Sequence, residues 1–238
     1  MKAILMDMDG TLLPMEQEDF TRLYFRELLG YCAPLGLPPE RMKEMLWASI
    51  KAMVKNDGTV PNAVRFEAVF AEYFPRNTAL LPQIAAFYST TYNRIGEAVQ
   101  PNADVVKAVG ILKRKGYRLV VATNPVFPEE AQRRRLGWAG LEAADFEWIT
   151  DYENSRFCKP NPAYYTAILQ TLGLQPDDCL MIGNDVEEDM EAAGAAGIDG
   201  WLMTDHLLNR KQRSLDRYVH GTAADWLAWA EALPAAES

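Results

Sequence analysis

Polar side chains that could take part in chemistry stand near the ends of short apolar runs of the sequence. Four such places occur: Asp7-Met8-Asp9-Gly10-Thr11, Thr123-Asn124, Lys159-Pro160, and Gly183-Asn184-Asp185 with Asp189. In open α/β sheets, ligands bind in a crevice outside the carboxyl ends of the strands. If the apolar runs are parallel strands, we expect these polar groups to meet in one crevice.

The acidic residues of this set predict a cation. Asp7 and Asp9 are two residues apart, which directs both side chains of an extended strand to one side, and Asp185 and Asp189 bring the total to four carboxylates. Carboxylates so close together repel unless a positive partner joins them, and Mg²⁺ is the hard cation that favours oxygen ligands. Lys159 would be a second positive group. Such a site suits a phosphate, whose transfer needs positioning and charge neutralisation and can use an aspartate as nucleophile.

The motifs differ in how specific they are. From average residue frequencies, D-x-D-G-T is expected by chance in about one chain of this length in a few hundred. The alternative to a functional motif at this position is a polar turn. Thr123-Asn124 and Lys159-Pro160 are weak signals alone, and Gly183-Asn184-Asp185 is also typical of a capped helix start. Their occurrence together, in order, favours a functional site.

The elements that must position these residues follow from the hydrophobic period. From residue 101 onward, short apolar runs alternate with helical stretches, which is typical of a parallel sheet covered on both faces. Residues 16–97 show the helical period instead, and we interpret them as four helices. The prediction is a doubly wound, Rossmann-like α/β core domain over residues 1–14 and 99–238, with an all-helical domain inserted over residues 15–98.

Composition narrows the class of protein. The 238 residues carry 24 Lys and Arg against 33 Asp and Glu, a net charge of −9 that disfavours nucleic acid as a partner. We interpret Arg133-Arg134-Arg135 as a solvated helix face. No apolar run approaches the ~18 residues of a membrane helix, so we expect no membrane partner. The cysteines, without a C-x-x-C, favour a reducing cytoplasm. Monomer and homodimer both stay open.

These residues resemble the haloacid dehalogenase (HAD) superfamily over almost the whole chain. Asp7-Met8-Asp9-Gly10-Thr11 resembles its first motif and Thr123 its second. The helical stretch between them is similar to the family's C1-type cap. The resemblance implies that Asp7 is the nucleophile and a Mg²⁺ ligand, and that Asp9 is the general acid and base and binds Mg²⁺ through its backbone carbonyl. It also implies that Thr123 and Asn124 bind the transferring phosphoryl group.

Lys159 resembles the third motif of the superfamily. Gly183-Asn184-Asp185, together with Asp189, resembles the fourth. The resemblance implies that Lys159 orients Asp7 and binds phosphate, that Asp185 binds Mg²⁺, and that Asp189 supports the site through water or Lys159. The family's fourth motif usually has aspartate directly after glycine, whereas Asn184 stands there in this chain. We assign the metal ligand to Asp185 because its spacing to Asp189 then fits, and Asn184 remains the alternative.

The resemblance implies an activity. We expect a Mg²⁺-dependent phosphatase that hydrolyses a small-molecule phosphate monoester through an aspartyl-phosphate intermediate. Asp9 favours the phosphatase branch over the dehalogenases, which lack a leaving oxygen to protonate. The alternatives are a phosphomutase of the β-phosphoglucomutase type and a non-catalytic binding or regulatory protein on the same fold. The identity of the substrate depends on cap side chains, and the sequence does not show where these side chains lie.

Overall fold

A parallel sheet forms the centre of the molecule in the computed structural model, which describes residues 1–236. Within those residues its six strands lie in the order β3-β2-β1-β4-β5-β6, and every neighbouring pair is parallel. The strands are β1 (Ala3–Met6), β2 (Arg118–Val121), β3 (Trp148–Ile149), β4 (Cys179–Gly183), β5 (Asp199–Met203) and β6 (Val219–Gly221). The predicted doubly wound α/β class is confirmed.

The first strand lies at the centre of the sheet, between β2 and β4. All its residues are buried, as expected for an apolar strand covered on both faces. Its last residue, Met6, is in register with Val121 of β2 and Ile182 of β4. The Asp7 amide continues this pairing by donating to the Ile182 carbonyl at 2.9 Å. The residues that follow β1, β2 and β4 therefore leave the sheet side by side.

Helices cover both faces of the sheet. Those between β1 and β2 are α1 (Gln17–Cys32), α2 (Pro39–Val54), α3 (Asn62–Tyr73), α4 (Leu81–Ser89), α5 (Asn93–Gly96) and α6 (Ala103–Arg114). The later ones are α7 (Glu129–Trp138), α8 (Pro162–Leu172), a π-helical segment (Val186–Glu191), α9 (Ala192–Ala195) and α10 (Ala223–Ala232). Capping residues mark two boundaries: the Asn102 side chain caps α6, and Gly173, at φ +64°, ends α8.

The helical insertion consists of α1 to α5. Four of these match the predicted helices, and α5 is an additional single turn. One hydrophobic cluster joins the insertion to the sheet layer, with Phe20 and Tyr24 of α1 beside Phe127. The loop before α3 also attaches to the core, because Arg156 donates to the Thr59 carbonyl at 2.7 Å. The division into two domains at residues 15 and 98 stays a prediction.

The structure departs from the predicted elements near its edges. The strand β6 is not predicted, and β3 spans only the two residues Trp148–Ile149. Both lie at edges of the sheet, and the residues of β6 are exposed or half-buried, so they form no apolar run that a sequence pattern could detect. In the part of the chain that the structure describes, no helix has the length and apolarity needed to cross a membrane.

The fold generates a prediction at Trp226, a fully buried side chain of α10, which packs against α6. We expect Trp226→Ala to lower the free energy of unfolding by about 3–5 kcal/mol because it leaves a large cavity. The indole nitrogen of Trp226 is buried without a hydrogen-bond partner, so Trp226→Phe should cost markedly less. Urea denaturation measures both variants. Equal losses in the two variants would contradict this prediction.

Candidate active site

The end of β1 approaches the end of β4 closely. Gly10 has φ +77°, and a Cβ atom there would lie 2.2 Å from Nδ2 of Asn184. The next residue, Thr11, donates from its hydroxyl to Oδ1 of Asn184 at 3.3 Å. Only glycine satisfies both the backbone angle and the close approach. Gly10 thus lets the turn after Asp7 lie against the turn after β4.

Lys159 connects the two strand ends through charge. Its side chain is buried, and Nζ lies 2.7 Å from Oδ1 of Asp7 and 2.6 Å from Oδ1 of Asp189. Burial alone lowers the pKa of Lys159, but Asp189 and Asp7 outweigh this and raise it well above its usual value. The ammonium group therefore stays protonated. The structure brings together these three residues, as the sequence analysis expected.

Asp189 lies directly under the end of β4. Its Oδ2 accepts hydrogen bonds from the backbone amides of Asn184 and Asp185, at 3.1 and 3.0 Å. Burial raises the pKa of this carboxyl, while Lys159 and the amide bonds oppose the shift. A Cβ atom on Gly183 would lie 2.2 Å from Oδ2 of Asp189, so the strand must end in glycine to admit the carboxylate.

Asp185 and Asn184 use their side chains differently. Oδ1 of Asp185 accepts from the amides of Glu187 and Glu188, both at 2.9 Å, and caps the helical segment that follows. The other oxygen, Oδ2, contacts Arg210. The Asn184 amide bonds at both ends, to Thr11 and to the backbone carbonyl of His206. Asn184 thus holds the loops together, and the negative charge of Asp185 is paired with Arg210.

Thr123 and Asn124 follow β2 and line the same crevice. The Thr123 carbonyl accepts from the hydroxyls of Thr150 and Tyr164, each at 2.8 Å, which holds the turn in place. Nδ2 of Asn124 donates to Oε2 of Glu188 at 3.1 Å, and Oδ1 of Asn124 is buried without a partner. The polar atoms of this turn are therefore close to both the first and the fourth motif.

Arg135 corrects the interpretation of the arginine run as a solvated helix face. Arg133 and Arg134 pair with glutamates one turn earlier on the surface, but Arg135 is fully buried and contacts Oδ1 of Asp9. Its guanidinium also lies 4.8 Å from the ring centroid of Phe20. Burial lowers the pKa of Arg135 to about 10, which leaves it charged at neutral pH.

The spacing of apolar residues along α7 could have indicated that Arg135 is buried. Ala131, Gln132, Arg135 and Leu136 are all buried on α7, and positions 131 and 135 are one turn apart on the same face. Glu188 also lines the crevice and is not among the predicted site residues. Burial raises the pKa of the Glu188 carboxyl. Glu188 stands three residues after Asp185, one helical turn along, which is the signal that could have found it.

The donor set fits Mg²⁺. Asp7, Asp185 and Glu188 line the crevice, and Lys159 is the cation beneath them. Across residues 1–236, no three His, Cys, Asp or Glu side chains form a ready-made metal cluster. Mg²⁺ does not require one, because it keeps several waters and takes one or two carboxylates. Asp7 and Asp185, on neighbouring strand ends, with the backbone carbonyl of Asp9, supply that kind of set.

A cavity of about 920 Å³ lies between the strand ends and the helical insertion. Its floor includes Asp7, Asp9, Thr123 and Asp185, which the sequence analysis expected in one crevice. Its walls come from α1, α2, α3 and α4 of the insertion. Lys159 and Asp189 support the floor from below. The arrangement can therefore hold a small molecule with one end against the carboxylates and the other among the helices.

The fold and this set of residues define a class of protein. Residues 1–197 match the family of haloacid dehalogenase-like hydrolases. The chain belongs to this family, and it is a hydrolase. The predicted family is confirmed.

Two relatives and one solved structure illustrate the similarity. The chain is 24% identical over 222 residues to the glyceraldehyde 3-phosphate phosphatase of Methanothermobacter thermautotrophicus, covering 91% of this chain and 92% of that protein. It is 29% identical over 209 residues to the phosphoglycolate phosphatase of Rhodospirillum rubrum, covering 85% and 79%. The 2-haloacid dehalogenase of Pseudomonas syringae pv. Tomato shares the fold, with a TM-score of 0.63, 20% identity and 98% of each chain covered.

The site generates a prediction at Lys159. We expect Lys159→Met to lower the free energy of unfolding by about 3–5 kcal/mol near pH 8, because it leaves buried carboxylates unpaired. Burial raises the pKa of Asp189 above its unfolded value. The folded variant then binds more protons than the unfolded chain, so its stability falls as pH rises above about 4. Denaturation at several pH values measures this trend.

The control for this prediction is Lys113→Met, which removes an exposed lysine that pairs with Asp145 on the surface. We expect it to change stability by less than about 1 kcal/mol at every pH. A Lys159→Met variant as stable as this control at pH 8 would contradict the conclusion that Lys159 balances buried charge.

Proposed function

We propose that this hydrolase is a Mg²⁺-dependent phosphatase that hydrolyses a small-molecule phosphate monoester through an aspartyl-phosphate on Asp7. The observation that carries the proposal is the buried Lys159 ammonium, 2.7 Å from Asp7 and 2.6 Å from Asp189, beneath a cavity floored by carboxylates. Lys159 holds one carboxylate oxygen of Asp7 in place through this contact. The similarity to named phosphatases over most of the chain supports the same branch.

The proposed reaction has two steps. In the first, a carboxylate oxygen of Asp7 attacks phosphorus, the bond from phosphorus to the leaving oxygen breaks, and Asp9 gives its proton to that oxygen. In the second, Asp9 takes a proton from water as the water oxygen attacks phosphorus. The bond to Asp7 breaks, phosphate leaves and Asp7 is restored. Proton transfers of this kind each contribute about 10² to 10⁴ in rate.

Other residues position the phosphoryl group in this proposal. The Thr123 hydroxyl, the Asn124 amide and the Lys159 ammonium bind its oxygens, and Asp189 holds Lys159 in place. Bound Mg²⁺, held by Asp7, Asp185 and the Asp9 carbonyl, would neutralise charge on the phosphoryl oxygens. The site is negative without it, which is why a cation must accompany an anionic substrate.

The helical insertion serves as a cap in this proposal. Residues 15–98 form the cap domain and residues 1–14 and 99–238 the core, so the cavity between them opens for substrate and closes to exclude water. The cap carries the walls of the cavity and the core carries its floor. The expected cytoplasmic location and the choice between monomer and homodimer stay predictions.

Phosphate release from a panel of phosphate monoesters tests the proposed function. We expect release by the wild type with Mg²⁺, its loss on chelation, and its loss in Asp7→Asn, which removes the nucleophile. Asp9→Asn should lower kcat by about 10² to 10⁴ because it removes the general acid and base. Circular dichroism provides the control for folding.

The same assay separates the alternatives. Release by Asp7→Asn at the wild-type rate would contradict the aspartyl-phosphate. A phosphomutase would interconvert phosphate esters and need a bisphosphate activator, with little free phosphate. A non-catalytic protein would release none from any ester under any metal condition.

A second prediction concerns Arg135, which we propose positions Asp9. Arg135→Met removes the contact with Oδ1 of Asp9. We expect kcat to fall about 10- to 100-fold with KM little changed, because misplacing a catalytic group by about 1 Å costs rates of that order. Arg134→Met, one residue away but paired with Glu130 on the surface, is the matched control and should keep wild-type kcat. Steady-state kinetics measures both variants. A wild-type kcat in Arg135→Met would contradict the positioning role.

A further inference from the structure

The two ends of the cavity differ in chemistry. The floor is polar and negatively charged, whereas the walls contributed by the insertion are largely apolar. Half-buried apolar side chains from four helices face the space, and the residues are Phe25, Ile50, Phe66 and Tyr88. In a phosphatase the floor takes the phosphoryl group, so the walls must contact the leaving group.

Exposed apolar side chains concentrate at this cavity. In the described chain, four large apolar side chains are exposed, and two of them, Trp47 at 49% and Val54 at 38%, line the cavity. Both lie on α2. The Trp47 ring stacks on Phe25 of α1, with centroids 5.1 Å apart and an angle of 26°. A ligand in the cavity would cover this exposed apolar area.

The hydroxyl groups that the insertion contributes to the walls already have hydrogen-bond partners. The hydroxyls of Tyr24 and Tyr88 bond to each other at 2.9 Å, and the Ser49 hydroxyl donates to the Met45 carbonyl at 2.9 Å. A substrate rich in hydroxyl groups would have to displace these bonds. The walls therefore offer contact area and few free hydrogen bonds.

The charges of the walls disfavour a second anionic group. Among lining residues of the insertion within the described chain, three are acidic, Glu16, Glu18 and Glu67, and one is basic, Arg22. Arg22 already pairs with Asp19 at 2.9 Å. A carboxylate at the far end of a substrate would meet negative charge without a free cation.

We infer that the leaving group of the substrate is an uncharged, apolar alcohol with a flat ring that stacks on the Phe25–Trp47 pair. This inference rests on the proposed function and names the class of substrate for the same site. The cavity, at about 920 Å³, is large enough for a ring-bearing molecule together with its phosphate. Small acidic phosphate esters fill less of it and leave the apolar walls in contact with water.

Three esters of one primary alcohol series test the inference: propyl, 3-phenylpropyl and 3-carboxypropyl phosphate. Their phosphorus–oxygen bonds have nearly the same reactivity, so differences in kcat/KM report the contacts of the far end. We expect 3-phenylpropyl phosphate to exceed propyl phosphate by about 100-fold, from the burial of a phenyl group. We expect 3-carboxypropyl phosphate to be the poorest of the three.

Substitutions of wall residues test whether the preference for the phenyl ester comes from contacts with Trp47 and Val54. Trp47→Ala should lower kcat/KM for 3-phenylpropyl phosphate about 10-fold and change it less than about two-fold for propyl phosphate. Val54→Ala should lower it about three-fold for the phenyl ester. Val64→Ala is the matched control, because Val64 is 45% exposed on α3 and does not line the cavity. It should leave every ester unchanged.

The outcomes separate the inference from the proposed function. If 3-carboxypropyl phosphate is hydrolysed as well as 3-phenylpropyl phosphate, or if Val54→Ala and Trp47→Ala affect all esters alike, the inference is overturned. Asp7-dependent release from propyl phosphate would then still support the phosphatase. No release from any of the three esters would overturn the inference alone, because the wider panel of phosphate monoesters tests the proposed function separately.

Discussion

Lys159 is a buried cation held between two buried carboxylates, and the geometry around it depends on that balance of charge. Asp7 follows β1, Asp189 follows β4, and Lys159 comes from the loop after β3. An unpaired charge in such a position is too costly for a folded protein to keep. The pairing therefore requires β1 and β4 to be neighbours, and it requires glycine at position 183 so that Asp189 can lie against the strand end.

In the proposed function, the chemistry and the specificity come from different parts of the chain. The floor of the cavity is built on strand ends, which are rigid because each is bonded to neighbouring strands on both sides. The walls are built on helices inserted between β1 and β2. An insertion at this point can change its side chains without disturbing the pairing of the strands. Residues such as Trp47 can then select a substrate while Asp7 keeps its position.

The sequence predicts the floor well and the walls poorly, for physical reasons. Asp7, Thr123 and Asp185 are found because each follows an apolar strand, and parallel strands bring their ends to one edge. Arg135 was misassigned, because a run of three arginines is dominated by its charge, whereas burial is decided by the face of the helix that each residue occupies.

The contacts within the walls of the cavity could be identified only from the tertiary structure. The helices α1 and α2 are predicted from their periodicity, but the stacking of Phe25 on Trp47 depends on how the two helices cross. No spacing within one helix encodes that crossing. The strand β6 was missed for a related reason, since its residues pair with β5 through the backbone while their side chains face water.

The central claim is that Asp7 becomes phosphorylated during turnover, and the most direct measurement is peptide mass spectrometry of acid-quenched enzyme. Wild type and Asp9→Asn would be mixed with an ester that the wild type hydrolyses, in Mg²⁺, and quenched within one turnover. We expect an added mass of about 80 Da on the peptide that contains Asp7. In Asp9→Asn this mass should form more slowly, because Asp9 also protonates the leaving oxygen in the first step. Turnover of the ester with Asp7 unmodified throughout would contradict the account.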